Sequence, residues 1–161
     1  MPLVKAALPG LIALALLAAV PAQAGMGAPE VPIKVAKHAD GPFQSGSFMV
    51  NVKSKPRSFY FKIINRDDHD LDVTLDDVSH GDGLADFGVR WFRGNRDITQ
   101  EVRATGHAFG LKQSKARVFQ GRVKPKVGNP GEICLAPRFH VEPDSYDAVH
   151  GIYINDTGVC G

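Results

Sequence analysis

The sequence predicts an all-β fold, a single antiparallel β-sandwich of about seven to nine strands with one disulfide. Apolar residues alternate with polar ones at a period of two from about residue 31 onward, whereas no window shows a long apolar recurrence at three and four residues. The chain of 161 residues contains 17 glycines and 11 prolines, which is typical of a protein with many turns. Turn-forming residues separate the alternating runs at short intervals.

The first 24 residues have the three parts of a secretory signal peptide. Lys5 supplies a positive start, Ala6–Val20 an apolar core, and Ala22-Gln23-Ala24 a small-x-small cleavage site. The alternative is a membrane anchor, but the apolar run is about 15 residues long, whereas a bilayer span needs about 20. We therefore expect residues 1–24 to be removed, which leaves a periplasmic or secreted protein with no membrane span. Residues 25–30 are expected to form a flexible leader.

The predicted domain, residues 31–161, contains nine alternating runs. In the clearest of them, Phe59, Phe61 and Ile63 point to one side and the residues between them to the other. Short strands at this spacing predict an immunoglobulin-like sandwich with one core, because no linker divides the chain. The nine runs are 31–37, 47–53, 59–64, 71–75, 87–92, 107–112, 116–124, 132–141 and 148–155.

The apolar sides of these runs form the predicted core. Trp91 alternates with Phe87 and Val89, so it is assigned to the core rather than to an exposed ligand platform. The other predicted core residues are Phe59, Phe61, Ile63, Leu71, Val73, Leu75, Val89, Val118, Ile133, Leu135, Ile152 and Ile154.

Cys134 and Cys160 are the two cysteines of the sequence. In an oxidising compartment, two cysteines favour a disulfide over a metal pair or a nucleophile, and the chain has no C-x-x-C motif. The bond closes a loop of about 26 residues, and this restriction of the unfolded chain stabilises the fold by on the order of 3 to 4 kcal/mol. We therefore predict a structural disulfide between them.

A pattern of strand-edge residues extends from about residue 47 to residue 155. The pattern consists of Phe59–Asn65, Leu71–Leu75, Val89–Phe92, Gly94, Asp97–Thr99, Val102, Gly106, Val123–Lys126, Asp144 and Asp147–Val149. Here the chain resembles immunoglobulin-like domains of bacterial extracellular proteins, in the style of adhesion-associated and NEW3-like sandwich modules. The resemblance implies a spacer or accessory domain, and it implies no catalytic site.

Three polar residues are predicted to stabilise turns. The side chains of Asp97 and Thr99 are short enough to hydrogen-bond neighbouring backbone N–H groups, and Ile98 between them is expected to point inward. Asp147 precedes the last predicted strand, where it is expected to satisfy a turn in the same way. These roles are structural.

Carboxylates are concentrated between residues 67 and 86, and a mainly basic stretch follows from residue 90 to residue 126. Asp76, Asp77, Asp82 and Asp86 flank the loop at residues 80–83, and carboxylate oxygens suit calcium. The alternative is a solvated acidic face, since Asp68, Asp70 and Asp72 alternate along a strand and so project to one side. No cofactor is predicted, and calcium is the ion that these four residues would suit.

Overall charge restricts the class of partner. The sequence has 19 Lys and Arg against 17 Asp and Glu, so it lacks the basic excess of a nucleic-acid-binding protein. The acidic and basic stretches either pair across strands or form opposite faces. A basic face would attract anionic cell-surface polymers, with an affinity that falls as salt rises.

The sequence contains no G-x-S-x-G, H-E-x-x-H or Gly-rich phosphate motif, and its six histidines lack metal-ligand spacing. We therefore predict an exported, non-catalytic accessory, adhesion or envelope-associated interaction protein whose partner is a protein or a cell-envelope polymer. The alternative is a small-ligand or carbohydrate-binding module, stabilised by calcium and marked by an exposed aromatic platform. A hydrolase or metalloenzyme of unrecognised type is the third reading.

Overall fold

Two β-sheets face each other across an apolar core, and a smaller third sheet adds side chains to the same core. The computed structural model describes residues 31–46, 48–52, 55–143 and 145–155. The described residues contain a 3-10 helix at Asp82–Asp86 and a short α-helix, α1, at Thr99–Ala104. The strands in the described residues are β1 (Ile33–Ala36), β2 (Phe48–Val50), β3 (Arg57–Ile64), β4 (Leu71–Asp77), β5 (Phe87–Arg93), β6 (Arg96–Asp97), β7 (His107–Leu111), β8 (Ala116–Pro125), β9 (Ile133–Leu135), β10 (Pro137–Glu142), β11 (Tyr146–Val149) and β12 (Ile152–Ile154).

The strand order places the acidic and basic parts of the chain in different layers. The five-stranded sheet has the order β1-β3-β8-β5-β6, and the four-stranded sheet has the order β11-β10-β4-β7. All neighbours in these two sheets are antiparallel. In the three-stranded sheet, of order β2-β12-β9, β12 runs antiparallel to β9 and parallel to β2.

Aromatic side chains fill the space between the two larger sheets. Phe61 of β3 lies 5.8 Å from Phe139 of β10, measured between ring centroids. Phe119 of β8 lies 5.1 Å from Phe109 of β7. The Trp91 ring stands edge-on to Phe61 at 5.7 Å. Because each such side chain contributes about 1.5 to 3 kcal/mol when buried, this layer holds the sheets together.

The predicted β-sandwich is confirmed, but the predicted number of strands was too low. Two of the predicted runs, 132–141 and 148–155, each form two strands, because the chain passes between sheets in the middle of each run. It leaves the three-stranded sheet at Ala136 to enter β10, and it returns to that sheet after His150. The very short β6 adds one more strand to the five-stranded sheet.

One predicted core residue lies on the surface. Val118 is 37% exposed, whereas its neighbour Phe119 is 1% exposed. The register of β8 explains the difference, since Val118 lies opposite Lys62 on the outward side of β3 and Phe119 lies opposite the buried Phe61. The other predicted core residues are buried.

The predicted signal peptide (residues 1–24) and leader (residues 25–30) lie outside the described residues. Cys134 is buried in β9, and Cys160 lies outside the described residues, so the disulfide stays a prediction. In the part of the chain that the structure describes, no helix is long and apolar enough to cross a membrane.

Candidate functional site

The outward side of the five-stranded sheet carries a cluster of cationic residues that we call the basic face. Alternate residues of each strand point inward to the core, so the intervening residues point to solvent. Five of these outward residues are cationic, and one, Asp97, is anionic. The five cations are Lys34 of β1, Lys62 of β3, Arg90 of β5, and Arg122 and Lys124 of β8.

The strand register arranges the basic face in rows. Lys34 lies directly opposite Lys62, and four residues along the strands Arg122 lies directly opposite Arg90. Between these two rows lies a row that contains the aromatic residues Tyr60 and Phe92, with Gln120 between them. Adjacent strands are about 4.8 Å apart, so the two cations of a pair are closely spaced, and because alternate residues of one strand are about 7 Å apart, the two rows of cations are about 14 Å apart along the strands.

Most of the charge on the basic face is not neutralised by carboxylates. Arg90 pairs with Asp97, and its guanidinium lies 5.4 Å from the Phe92 ring. The ammonium of Lys62 lies 4.2 Å from the centroid of the Phe43 ring. Among the described residues, Lys34, Lys62, Arg122 and Lys124 form no ion pair with a carboxylate. The face therefore has a surplus of positive charge.

The outward side of the four-stranded sheet forms the acidic face, and most of its charges are paired within it. Its charged residues are Asp72, Asp76, Arg138, His140, Glu142 and Asp147. Arg138 Nε donates to both carboxylate oxygens of Asp76, at 2.9 and 3.2 Å. His140 contacts Asp147 through Nδ1 at 2.8 Å and Glu142 through Nε2 at 2.9 Å. Arg138 and His140 thus neutralise carboxylates whose partners are not evident from the sequence.

The hydrogen bonds of the acidic face shift the titration of its groups. The hydrogen bond to Asp147, followed by the one to Glu142, raises the pKa of His140 above its ordinary 6.5. The same contact with His140 lowers the pKa of Glu142. When it is protonated, His140 bridges two carboxylates, and these contacts favour the charged form of the imidazole.

Three of the four predicted calcium ligands have other partners in the structure, and one is exposed. Asp76 binds Arg138, and Asp86 Oδ2 accepts a hydrogen bond from the backbone N–H of Gly131 at 2.9 Å. Asp82 is exposed in the 3-10 helix. In the described ranges, one group of three side chains offers ligand atoms within 4.8 Å, and it consists of Asp67, Asp68 and His69. The four predicted residues are not brought together.

The fourth predicted ligand, Asp77, serves the core. Trp91 is fully buried, and its indole Nε1 donates to Asp77 Oδ2 at 3.0 Å. Asp77 Oδ1 also accepts a hydrogen bond from the backbone N–H of Ser79 at 3.0 Å. Because an unpaired buried indole N–H would be costly, Asp77 has a structural role here. Because Trp91 is buried, it is not the exposed aromatic platform that would have favoured a small-ligand or carbohydrate-binding module.

The predicted turn residues occupy different positions. Asp97 Oδ1 accepts hydrogen bonds from the backbone N–H of Thr99 at 3.0 Å and from its hydroxyl at 2.6 Å, and Ile98 is buried between them. These bonds to Thr99 lower the pKa of Asp97, with a smaller contribution from Arg90. The turn role of Asp147 was wrong. The chain turns at Ser145, so that Asp147 already lies within β11 and contacts His140.

A surface cavity of about 740 Å³ adjoins the basic face and is called the edge cavity. It lies between the turn after β1, the strand β2 and the start of β3. Tyr60 belongs both to the central row of the basic face and to the wall of this cavity. The other polar or charged residues of the wall are Lys37, His38, Asp40, Asn51, Arg57 and Ser58, and the main apolar ones are Met49, Val50 and Pro56.

Sequence reasoning located the basic stretch but missed two of its most important residues. Lys34 and Lys62 lie far from residues 90–126 in the sequence and join the basic face only because β1 pairs with β3 and β3 pairs with β8. The alternation of Gln120, Arg122 and Lys124 along one strand was the available signal, since it predicts a single polar side.

No protein-family model matches the sequence, and no curated protein matches it. Among solved structures, the chain is similar to part of a family 123 glycoside hydrolase from Clostridium perfringens. The TM-score is 0.52 and the identity 8%, over 77% of this chain and 26% of the hydrolase chain. At this identity the similarity shows the fold alone, and the chain spans about a quarter of the length of that hydrolase.

Two other solved structures are similar to the chain with TM-scores below 0.5. One is the PapD-like domain 7 of human CEP192, with a TM-score of 0.49 and 10% identity over 94% of this chain and 99% of that domain. The other is the CooA pilin subunit from enterotoxigenic Escherichia coli, with a TM-score of 0.44 and 11% identity over 76% of this chain and 95% of the pilin.

Proposed function

We propose that this protein is an exported, non-catalytic, envelope-associated interaction protein whose basic face binds an anionic polymer. The observation that carries the proposal is the presence of two like-charge pairs, Lys34 with Lys62 and Arg90 with Arg122, directly opposite each other on neighbouring strands. Such pairs destabilise a sheet. A polyanion lying across the rows would remove this repulsion and use the surplus charge.

The composition of the basic face favours a polymer over a folded protein partner. Lysine is depleted at the centres of protein–protein interfaces. Here lysines and arginines are distributed across neighbouring strands, with about 5 Å between the two cations of a pair and about 14 Å between the two rows, which suits an extended ligand with repeated charges. Tyr60 and Phe92 between the rows offer apolar surface for the uncharged parts of the ligand.

The other parts of the proposal are supported by the sequence. The signal peptide predicted for residues 1–24 supports export, and the predicted Cys134–Cys160 disulfide suits an oxidising compartment. The resemblance to immunoglobulin-like modules of bacterial extracellular proteins supports an accessory role. The sequence lacks the nucleophile and metal motifs of common hydrolases, which supports a protein without turnover.

Binding of the full chain to immobilised polygalacturonate and dextran sulfate tests the proposal. Affinity is measured at about 50 mM and about 300 mM NaCl, conditions that differ strongly in screening. We expect binding at low salt to weaken by about tenfold or more at high salt. The variant Lys62→Gln/Arg122→Gln should lose most of the low-salt affinity.

Two control variants separate the basic face from net charge. Lys112→Gln/Lys115→Gln removes the same charge from the loop between β7 and β8, and Asp72→Asn/Glu142→Gln changes the acidic face. Both should retain affinity within about threefold. Equal losses in Lys62→Gln/Arg122→Gln and Lys112→Gln/Lys115→Gln, or the absence of salt-sensitive binding, would contradict the proposal.

A further inference from the structure

We propose that the edge cavity binds one anionic sugar unit, with its acidic group on Arg57 and its ring against Tyr60. This inference rests on the proposed function, because it assigns to the cavity one unit of the polymer that crosses the basic face. The cavity would then give the protein selectivity for sugar-based polyanions, which the flat cationic rows alone cannot provide.

The cavity forms where β1 separates from β3. β1 pairs with β3 from Ile33 to Ala36, and Ala36 lies opposite Tyr60. After Ala36 the chain turns away through residues 37–40, so Arg57 and Ser58 of β3 have no partner on this side. Residues 49–51 form another wall. The result is a concave site at the end of the basic face.

The charged side chains of the cavity are available for a ligand. Within the described residues, the side chains of Lys37, His38, Asp40 and Arg57 form no hydrogen bond or ion pair. The guanidinium of Arg57 presents parallel N–H donors that match a carboxylate or phosphate, and Lys37 adds a second positive charge. An acidic group is therefore the favoured anchor.

The remaining wall residues suit a sugar ring. Asn51 supplies an amide with both donors and an acceptor, and the hydroxyl of Ser58 accepts a hydrogen bond from Gln120 Nε2 at 2.9 Å. Tyr60 and Met49 add apolar surface beside these polar groups. A volume of about 740 Å³ lies within the range of small-molecule sites, roughly 300 to 1,000 Å³, and accommodates a short oligosaccharide.

The cavity is continuous with the basic face through Tyr60. This side chain lies in the row between Lys34–Lys62 and Arg90–Arg122, and it also lines the cavity. A polymer that crosses the central row therefore passes the mouth of the cavity. A short ligand that reaches only the cavity should not depend on Arg117, which lies opposite Ile63 at the far end of the β3–β8 ladder from Arg57.

Calorimetric titration of the full chain with trigalacturonate tests this inference. The methyl ester of the same trisaccharide is the matched uncharged ligand, and glucose 6-phosphate compares a phosphate anchor with the carboxylate. We expect trigalacturonate to bind, and its ester to bind at least about tenfold more weakly, since a charge-assisted contact contributes about this much. Binding of glucose 6-phosphate would extend the anchor to phosphate, and its failure to bind would restrict the anchor to carboxylate.

Variants locate the binding. Arg57→Ala should weaken trigalacturonate binding by about tenfold or more, and Arg57→Lys should recover only part of this loss. Arg117→Ala, which removes an equal charge from an exposed site at the other end of the β3–β8 ladder, should change it by less than about twofold. Circular dichroism spectra that match the parent protein show that each variant is folded.

The outcomes distinguish this inference from the proposed function. If polygalacturonate binds through Lys62 and Arg122 but trigalacturonate does not bind, or binds equally to Arg57→Ala, the cavity assignment is wrong and the proposed function stands. If the polymers fail to bind while trigalacturonate binds through Arg57, the proposed function fails and the cavity remains a small-ligand site.

Discussion

The two outer faces of the sandwich differ in how their charges are used. On the acidic face, Arg138 and His140 neutralise neighbouring carboxylates through short hydrogen bonds. On the basic face, like charges stand opposite each other, and within the described residues only Arg90 pairs with a carboxylate. The comparison teaches that the density of charge in a sequence does not identify a binding surface. Under the proposed function, the unpaired charge marks that surface instead.

Two glycines, one that faces the core and one that faces solvent, allow the largest difference to be tested. Gly121 of β8 lies under the basic face, and an added Cβ would overlap the ring of Phe59. Gly121→Ala should therefore destabilise the protein by about 2 to 3 kcal/mol through overpacking. The matched change Gly110→Ala in β7, where no atom lies within 4 Å, should cost less than about 0.5 kcal/mol. Urea unfolding measures both, and similar losses would contradict the described packing.

Removing one partner of the acidic network tests whether its charges stabilise the fold. Asp76→Ala should lower the free energy of unfolding by about 0.5 to 1 kcal/mol, since the pair with Arg138 is bidentate but partly exposed. The double-mutant cycle with Arg138→Ala isolates the coupling between the two side chains. A coupling energy of zero would mean that the acidic face is not held together by this pair.

Neutralising a cation on the basic face should raise the stability of the fold, whereas breaking the acidic network lowers it. Arg122→Gln removes the charge opposite Arg90 and is expected to stabilise the protein by about 0.2 to 0.5 kcal/mol at low salt. The gain should shrink as salt screens the repulsion. Thermal unfolding at two salt concentrations measures it. A destabilised variant would show that the paired arginines do not repel each other.

The smallest effect is a dependence on pH at the acidic face. The pKa of His140 is raised in the folded state, mainly by Asp147, so its stabilising effect is present below its ordinary value of 6.5 and is lost as pH rises through the folded value. His140→Gln should therefore destabilise the protein more at about pH 6 than at about pH 9. Equal differences in urea midpoint at the two pH values would exclude this contribution.

The sequence predicted the strands well because their signal is local. Phe59, Phe61 and Ile63 alternate on one strand, and all three are buried. The passage of the chain between sheets at Ala136 was missed, since alternation continues through it and only the strand pairing shows it. Val118 was misassigned for a related reason. Its side of β8 depends on the register with β3.

The site was harder to predict because its parts come from distant segments. The partners of Asp76 and Asp77 are Arg138 and Trp91, which no local pattern connects to them. The aspartates therefore resembled ion ligands in the sequence, although two of them serve the fold. The sequence around Lys34 and Lys62 does not indicate that they belong to the basic face, and only the strand order places them there. Charge pairing is a property of the folded sheet.

The three-stranded sheet joins opposite ends of the described chain. β12 lies parallel to β2, and Asn155 Oδ1 accepts a hydrogen bond from the backbone N–H of Val52 at 2.6 Å. This sheet cannot assemble until the ribosome has completed residues 152–154, because β12 stands between β2 and β9. A nascent chain therefore cannot join β2 to β9 through β12 until residues 152–154 have been made, and a truncation before residue 152 leaves both strands without their central neighbour.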